Sequence, residues 1–308
     1  MSLIKCPDSH RELLRNYESH LLLNSGLTAG SANLRTWHAA RFLAARYGDG
    51  APDLQSLSPR NVSEYITGVA SQWSPNTRKN AVGTLRSFLR WLHMCGLCDS
   101  KLADSVPTVS CMKHSGIPAH ISQMQLDELL GSFDLSKPTG LRGYAAALCM
   151  VRLGLRVGEA ARLTLDDIDW KGGTICLPKT KGRRHRILPL PHAVGAAIIA
   201  YLRKGRPPTS ERHIFVTHRS CKGKPPCREA LRGDILHAFD RAGLKTPSKG
   251  TRVLRHTAAT HMIRSGATIK EIADVLGHSS IDTTCIYAKV DFPALAELVA
   301  HWPKEVTA

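Results

Sequence analysis

The sequence predicts a mainly α-helical protein with one small antiparallel sheet, divided into two domains. The chain has 308 residues, of which 43% are hydrophobic, and this is enough for two packed cores of ordinary size. Apolar residues recur at helical spacing between segments that carry capping residues, Gly or Pro. One region, IDWKGGTICLPKTKGRRHRILPLP, instead combines short β-rich runs around Ile175 and Ile187 with Gly-rich and basic turns.

In the first domain, predicted for residues 1–107, the clearest helix is the stretch SPNTRKNAVGTLRSFLRWLHMCG. Ser74 suits the N-cap, Pro75 suits the first helical position, and Gly96 suits the end of the helix. Four apolar residues share one face at helical spacing and predict a packed side: Leu85, Phe88, Leu89 and Leu92. Lys79, Arg86 and Arg90 form a second, basic face. Two interpretations stay open for this face, contact with nucleic-acid phosphates or an ordinary solvated surface.

Residues 108–120 carry Pro, Gly and Ser without a regular period and predict a linker. The second domain is then predicted for residues 121–308. Its first helix begins at SQMQLDELL, where Ser122 and Gln125 form a capping-box pattern. The apolar stretch LRGYAAALCMVRLGLRVGEAARLTL predicts central helices, and the apolar run HIFV predicts a further strand.

Towards the C-terminal end, the stretch TIKEIADVLG predicts a helix with both ends marked. Thr268 and Glu271 form a capping box, and Gly277 ends the helix. The apolar stripe consists of Ile269, Ile272, Ala273 and Leu276. His278 therefore follows a rigid helix end at a defined angle.

The charge balance indicates the partner. Lys and Arg number 42 against 25 Asp and Glu, which gives a formal net charge of +17 and a pI of about 9.8. The expected partner is a polyanion, of which the phosphate backbone of nucleic acid is the commonest. The alternative is a basic protein without such a partner.

Two other protein classes are disfavoured. No apolar run reaches the roughly eighteen residues of a membrane span, and the N-terminal residues lack the apolar stretch of a signal peptide. The nine Cys are scattered and odd in number, which favours reduced thiols in a cytosol over a disulfide framework.

Four short stretches carry the candidate chemistry. GLRVGEAARL places Arg156 three residues before Glu159, so that the carboxylate can fix the guanidinium. RVLRHTAATHMIRSGA contains Arg252 and Arg255, and LGHSSIDTTCIYAKV contains His278 and Tyr287. The hairpin turn KTKGRRHR is basic, and its candidate DNA-binding residues are Lys179, Arg183 and Arg184. Tyr287 alone would more often be an ordinary half-buried aromatic residue.

Together these stretches resemble the tyrosine recombinase (phage integrase) family. LGLRVGEA is similar to the family pattern T-G-L-R-x-x-E, and KGRRHRILPL is similar to a Lys-bearing hairpin that ends in R-V-P-L. RVLRHTAAT is similar to H-x-L-R-H-T-x-A-T, and LGHSSIDTTCIY is similar to L-G-H-S-S-x-x-T-T-x-x-Y. The resemblance is strong from about residue 120 to about residue 290 and weaker in the first domain, which it implies to be a helical core-binding domain.

The resemblance implies a role for each residue. Arg156 and Arg255 would clamp the scissile phosphate, and His278 would add a hydrogen bond. Tyr287 would attack phosphorus and form a 3′-phosphotyrosine link, and Lys181 would protonate the leaving 5′-oxygen. Fixed cationic donors stabilise the charge that develops on phosphate oxygens, and Arg binds phosphate bidentately. No metal or cofactor is implied, because the covalent link keeps the energy of the phosphodiester bond.

Arg252 departs from the family pattern, which has His at this position as the proton acceptor for the Tyr. Arg cannot act as a base, although it can donate to phosphate oxygens. Two explanations stay open: cationic surroundings lower the pKa of the phenol, or water takes the proton. His256 lies about 100° around the helix from Arg255 and is not expected to substitute.

A structural zinc site is a further alternative. Cys95, Cys98, Cys111 and His114 follow the spacing C-x2-C-x12-C-x2-H, which suits zinc ligands. The first pair ends a helix and the second lies in the predicted linker, so the four residues can converge. The family needs no metal, and the expectation is that none is bound.

The resemblance also implies partners. Two domains would close around duplex DNA in the cytoplasm, cut and rejoin it at specific sites, and work as a tetramer in the synapse. The tail DFPALAELVAHWP would dock on a neighbouring protomer or pack on its own chain. Two other functions stay open. One is a DNA-binding accessory protein of the same fold with weak or no catalysis, and the other is a type IB topoisomerase-like relaxing enzyme.

Overall fold

The structure is a computed structural model, and it describes most of the chain. The described residues are 7–70, 72–98, 100–108, 118–178, 185–219, 221–226, 228–246, 248–278 and 280–290. No helix among them is long and apolar enough to cross a membrane. The chain divides into two compact units, Met1–Lys113 and His114–Ala308. Most of the predicted linker falls on residues 109–117, outside the described residues, so the linker stays a prediction.

Within its described residues, the first unit is helical. Its helices are α1 (Asp8–Leu23), α2 (Ala29–Tyr47), α3 (Pro59–Ala70) and α4 (Pro75–Met94), followed by the 3₁₀ turn Ser100–Ala103. The predicted boundaries of α4 are confirmed. The Ser74 hydroxyl accepts a hydrogen bond from the Thr77 N–H at 3.3 Å, and Gly96 takes a positive φ just after the helix. The predicted apolar face is also confirmed, since all four of its residues are buried in the core of this unit.

The second unit contains seven of the described helices and the sheet. The helices are α5 (Gln123–Gly131), α6 (Pro138–Arg152), α7 (Val157–Ala160), α8 (His192–Ala200), α9 (Arg228–Arg241), α10 (Thr251–Arg264) and α11 (Ile269–Leu276). The capping box at the start of α5 is confirmed. Helix α6 is buried along almost its whole length and packs against α8, α9 and α10, so it forms the centre of the unit.

The sheet is small and antiparallel, in the order β1 (Ile168–Asp169), β2 (Thr174–Leu177), β3 (Arg186–Pro189). Strand β2 pairs with β3 in the register Ile175 to Leu188 and Leu177 to Arg186. The predicted mainly helical fold with a small antiparallel sheet is thus confirmed.

The strand predicted at HIFV is wrong. Only His213 forms a β-bridge, with Thr164, while Ile214, Phe215 and Val216 are fully buried. The apolar run reflects core burial, which a short apolar sequence cannot distinguish from strand pairing.

Helices α10 and α11 bring the C-terminal motif onto the core. The predicted capping box of α11 is confirmed, because the Thr268 hydroxyl accepts from the Glu271 N–H at 3.2 Å. Gly277 ends the helix in the left-handed region at φ 61°. A Cβ at this position would lie 2.7 Å from Nε of Arg186, so Gly277 also lets that guanidinium approach the helix end.

Candidate active site

Arg156 lies at the entrance to the short helix α7 and is held by Glu159. The backbone N–H of Arg156 donates to Oε2 of Glu159 at 2.8 Å, and its Nη1 donates to Oε1 at 3.1 Å. The predicted pairing of the two residues is confirmed. Arg156 is the N-cap of α7, and Glu159 is the third residue of this helix. The Glu159 carboxylate therefore caps the N-terminal end of the helix and also holds the Arg156 guanidinium.

Glu159 is surrounded by three guanidinium groups. Nη2 of Arg186 lies 3.0 Å from Oε1, and Nη1 of Arg255 lies 3.9 Å from Oε2. Burial opposes ionisation of this carboxyl. The hydrogen bond from the Arg156 N–H and the charges of the three arginines outweigh burial and hold the pKa of Glu159 below its ordinary value. One buried carboxylate therefore positions three cations.

Arg255 is buried on α10 and spans two elements. Its Nη1 donates to the carbonyl of Gly154 at 2.5 Å, and its Nη2 donates to the carbonyl of Leu276 at 2.8 Å. Arg156 donates to the same Leu276 carbonyl at 3.2 Å. Burial, followed by repulsion from Arg156, lowers the pKa of Arg255 to about 9, so it still carries its charge at neutral pH.

Arg186 belongs to this cluster, although the sequence analysis gave it no role. It begins β3 and is buried, and its Nη1 donates to the carbonyl of Val275 at 2.5 Å. The signal was present in the alternation of β3. Arg186 occupies the same face as the buried Leu188, so a strand pattern places it inside the protein.

Tyr287 lies in the 3₁₀ turn Cys285–Val290 with a relative exposure of only 1%. Its ring packs in a small apolar cluster with Ala259 and Leu276. Burial raises the pKa of the phenol to about 12, although Arg255, Arg156 and Arg252 each act to lower it. A phenol pKa lowered by cationic surroundings was one of two explanations for the missing base, and the raised pKa contradicts it.

His256 contacts the phenol directly. Its Nδ1 lies 2.7 Å from Oη of Tyr287, and the two ring centroids are 5.6 Å apart. His256 was not expected to substitute for the missing proton acceptor, but this contact places it beside the phenol. The ring of Tyr287 packs with Ala259 and Ile263, which share a helical face with His256, so the phenol meets this side of α10.

His278 is the last member of the group. Its backbone N–H donates to the carbonyl of Ala273 at 3.0 Å, and its Nδ1 lies 2.6 Å from Oγ1 of Thr284. Burial, helped by Arg255, Arg156 and Arg186, lowers the pKa of His278 to about 4. The neutral ring with Nδ1 accepting from Thr284 carries its proton on Nε2, the form that can donate to a phosphate oxygen.

Residues 120–293, more than half of the chain, match the phage integrase family. The chain belongs to the phage integrase family. The resemblance inferred from the four motifs is confirmed, and with it the predicted class of enzyme, a site-specific tyrosine recombinase.

Relatives extend the match beyond the catalytic motifs. The putative integrase/recombinase y4rA of Sinorhizobium fredii (strain NBRC 101917 / NGR234) is 36% identical over 97% of this chain and 73% of its own length. The tyrosine recombinase XerD of Mycobacterium tuberculosis (strain CDC 1551 / Oshkosh) is 29% identical over 93% of this chain and 96% of its own.

Solved structures of recombinases share the fold. A post-cleavage complex of the XerH site-specific recombinase with its palindromic difH substrate aligns with a TM-score of 0.69 at 18% identity, over 98% of this chain and 91% of the other. A lambda integrase(75–356) dimer bound to a COC′ core site aligns with a TM-score of 0.68 at 15% identity, over 97% and 99%.

The other predicted site residues of this phage integrase family protein fall into two groups. Lys179, Lys181, Arg183 and Arg184 lie outside the described residues, and their roles stay predictions. On α4, Lys79 and Arg90 are exposed, whereas Arg86 is half-buried and donates to the carbonyls of Val106 and Pro107 at 2.9 and 3.2 Å. Arg86 thus has a structural contact within the first unit in addition to any contact with phosphate.

Arg252 is the remaining predicted catalytic residue. Arg252 is exposed on α10, close enough to lower the pKa of both Tyr287 and His256.

Of the four possible zinc ligands, Cys111 and His114 lie outside the described residues, while Cys95 is exposed and Cys98 is buried. Among the described residues, no group of three or more His, Cys, Asp or Glu could hold a metal ion.

The two site histidines predict a loss of stability in mild acid. Burial, followed by Arg252 and Arg255, lowers the pKa of His256 to about 4, as burial does for His278. Between the ordinary value of 6.5 and about 4, the unfolded chain binds these protons and the folded chain does not. The free energy of unfolding should therefore fall as pH drops through this window.

Urea unfolding of the full chain at several pH values, followed by circular dichroism and compared between wild type and variants, measures this effect. His278→Asn should flatten the dependence, whereas His192→Asn, at an exposed position, should leave it unchanged. An unchanged slope in His278→Asn would contradict the assignment of a neutral buried ring.

Proposed function

We propose that this chain cuts duplex DNA at specific sites through Tyr287 and rejoins the strand after exchange with a second duplex. The observation that supports it best is the gathering of Arg156, Arg186 and Arg255 around one carboxylate and one helix end, with the Tyr287 hydroxyl within electrostatic reach of Arg156 and Arg255. Such fixed cations match the charge that develops on the non-bridging oxygens of an attacked phosphodiester.

In the proposed reaction, Oη of Tyr287 attacks phosphorus, the bond from phosphorus to the 5′-oxygen breaks, and a 3′-phosphotyrosine link remains. Arg156 and Arg255 hold the non-bridging oxygens, and Nε2 of His278 donates a further hydrogen bond. Lys181 gives its proton to the leaving 5′-oxygen. In the reverse direction, a 5′-hydroxyl returns its proton to Lys181 and attacks phosphorus, and the bond from phosphorus to Oη breaks as Tyr287 takes back a proton. No metal or nucleotide cofactor enters either step.

The wider parts of the proposal follow from the family. The first unit acts as a core-binding domain, with Lys79 and Arg90 of α4 available to DNA phosphates, and the excess of positive charge suits this partner. Four protomers act together on two duplexes at the nucleoid. The tail that would dock on a neighbouring protomer falls on residues 291–308, outside the described residues.

The test begins by finding DNA that the protein binds. Immobilised Tyr287→Phe protein, which should bind without cutting, selects duplexes from a random-sequence pool. The selected duplexes are then remade with a nick beside each candidate position, so that the short cut fragment diffuses away and religation stops. Wild-type protein should form a covalent adduct that survives denaturation, and peptide mass spectrometry should place the nucleotide on Tyr287.

Different results would support the other two functions. Binding without any adduct on all selected duplexes would indicate an accessory DNA-binding protein and overturn the proposal. Adduct formation together with relaxation of a supercoiled plasmid that carries one site, and no exchange between two sites, would indicate a topoisomerase-like enzyme.

A further inference from the structure

The reacting hydroxyl needs a proton acceptor that the family pattern does not supply in this chain. With its pKa raised to about 12, only about one phenol in a hundred thousand is ionised at neutral pH. Arg252 occupies the position of the usual His and cannot accept a proton. An acceptor must lie within hydrogen-bond reach of Oη before the phenol becomes an effective nucleophile.

The neighbouring polar groups differ in their ability to fill this role. Glu159 is already the shared partner of the arginine cluster. His278 has its Nδ1 against the Thr284 hydroxyl, and its remaining nitrogen suits a phosphate contact. His256 has its Nδ1 2.7 Å from Oη of Tyr287, the distance of a proton-transfer hydrogen bond.

We infer that His256 is the general base for Tyr287 and replaces the histidine whose position Arg252 occupies. This inference rests on the proposed function. The O–H bond of Tyr287 breaks, and its proton passes to Nδ1 of a neutral ring that carries its other proton on Nε2. The bond from Oη to phosphorus forms as the bond to the 5′-oxygen breaks, and His256 becomes an imidazolium. When the 5′-hydroxyl of the incoming strand displaces the tyrosine, His256 returns the proton to Oη.

The charges around His256 agree with this role. The groups that act on it are Arg252 and Arg255 from its own helix, His120 from the segment before α5, Tyr287 from the C-terminal turn and His278 from the end of α11. Burial and the nearby cations keep the ring neutral at neutral pH, which is the form that accepts a proton. A bound phosphate brings negative charge to the same place and favours the imidazolium once it forms.

Arg252 gains a compatible function in this arrangement. It lies one turn before His256 on the same face of α10 and is exposed, so it can contact a DNA phosphate oxygen without displacing the histidine from Tyr287. On α10, His256 would therefore act as the base, and Arg252 would contact the phosphate.

The test uses His256→Asn, because the Asn side-chain amide can occupy the place of Nδ1 and hydrogen-bond to Tyr287 but cannot take its proton. Adduct formation in a single turnover on the selected nicked duplex should slow by about a hundredfold or more. Wild type should be nearly independent of pH from about 6 to 9, whereas the variant should gain about tenfold in rate per pH unit. His261→Asn, a partly buried histidine on the same helix, is the matched control and should behave as wild type.

A second measurement separates proton transfer from a positioning effect. A fluorinated tyrosine with a lower phenol pKa is installed at position 287 in both backgrounds. It should restore much of the lost rate in His256→Asn and change the wild-type rate little, because an easily ionised phenol needs less help from a base. Should His256→Asn fail to fold, His256→Gln takes its place in both measurements.

The outcomes are distinct. Equal effects of the fluorinated residue in both backgrounds, or a parallel pH profile in wild type and variant, would assign His256 a structural role and overturn the inference. Absence of an adduct in wild type itself would instead remove the proposed function.

Discussion

Replacement of Tyr287 by Phe is expected to abolish the covalent protein–DNA adduct completely while leaving DNA binding intact. The change removes only the hydroxyl, and the ring retains its packing against Ala259 and Leu276. No other group should take over the attack on phosphorus, so the loss should reach the detection limit of the assay. Adduct formation is followed on denaturing gels, and binding is followed by mobility shift with the same duplex.

Tyr201→Phe provides the matched control. Tyr201 is also fully buried in the second unit, and its hydroxyl likewise lies against a histidine, with Nε2 of His218 at 3.1 Å. This hydroxyl also accepts from the buried Val216 N–H, so its removal should cost about 1–3 kcal/mol of stability and leave adduct formation near the wild-type rate. A persistent adduct in Tyr287→Phe would place the nucleophile elsewhere, and loss of the adduct in both variants would attribute the effect to a disturbed fold.

Arg255→Ala is expected to lower the rate of adduct formation by roughly a hundredfold or more, the scale for loss of one preorganised donor to a developing oxyanion. Arg255 is buried and fixed to two carbonyls and to Glu159, so its guanidinium needs no reordering when a phosphate arrives. The measurement is single-turnover adduct formation at saturating protein, which separates the chemical step from binding.

Arg264→Ala controls for loss of a positive charge on the same helix, since Arg264 is exposed at the end of α10. Circular dichroism checks folding, because Arg255→Ala leaves the carbonyls of Gly154 and Leu276 without this donor. A duplex with an uncharged methylphosphonate at the scissile position should recover part of the rate in Arg255→Ala. Equal loss on both substrates would show that Arg255 acts through the fold rather than on phosphate charge.

The elements that could be predicted from sequence are those fixed by local chemistry. The capping boxes of α5 and α11, the Ser74 cap of α4 and the Gly277 terminus all appear as expected, because each depends on residues within one turn of the chain. The buried run at 214–216 was mistaken for a strand, because burial and strand pairing produce the same short apolar pattern.

The site likewise contains residues that the sequence predicts and residues that only tertiary contacts reveal. The resemblance to the family predicted that Arg156, Arg255, His278 and Tyr287 belong to one site. The structure places these residues at the start of α7, on α10, at the end of α11 and in the turn Cys285–Val290, where their charges act on one another. Arg186 and His256 were missed because each depends on a tertiary contact. Arg186 of β3 contacts Glu159 of α7, and His256 of α10 contacts Oη of Tyr287 in the C-terminal turn. Neither contact can be read from spacing within a motif.

The carbonyl of Leu276 accepts hydrogen bonds from both Arg156 and Arg255, and the adjacent carbonyl of Val275 accepts from Arg186. The last turn of α11 is therefore a common anchor for all three guanidinium groups. A displacement of this turn by even a fraction of an ångström would disturb the three donors together, so the cluster responds as a unit rather than residue by residue. The residues that follow α11 continue directly from this turn, so a movement of its last residues would act on all three guanidinium groups.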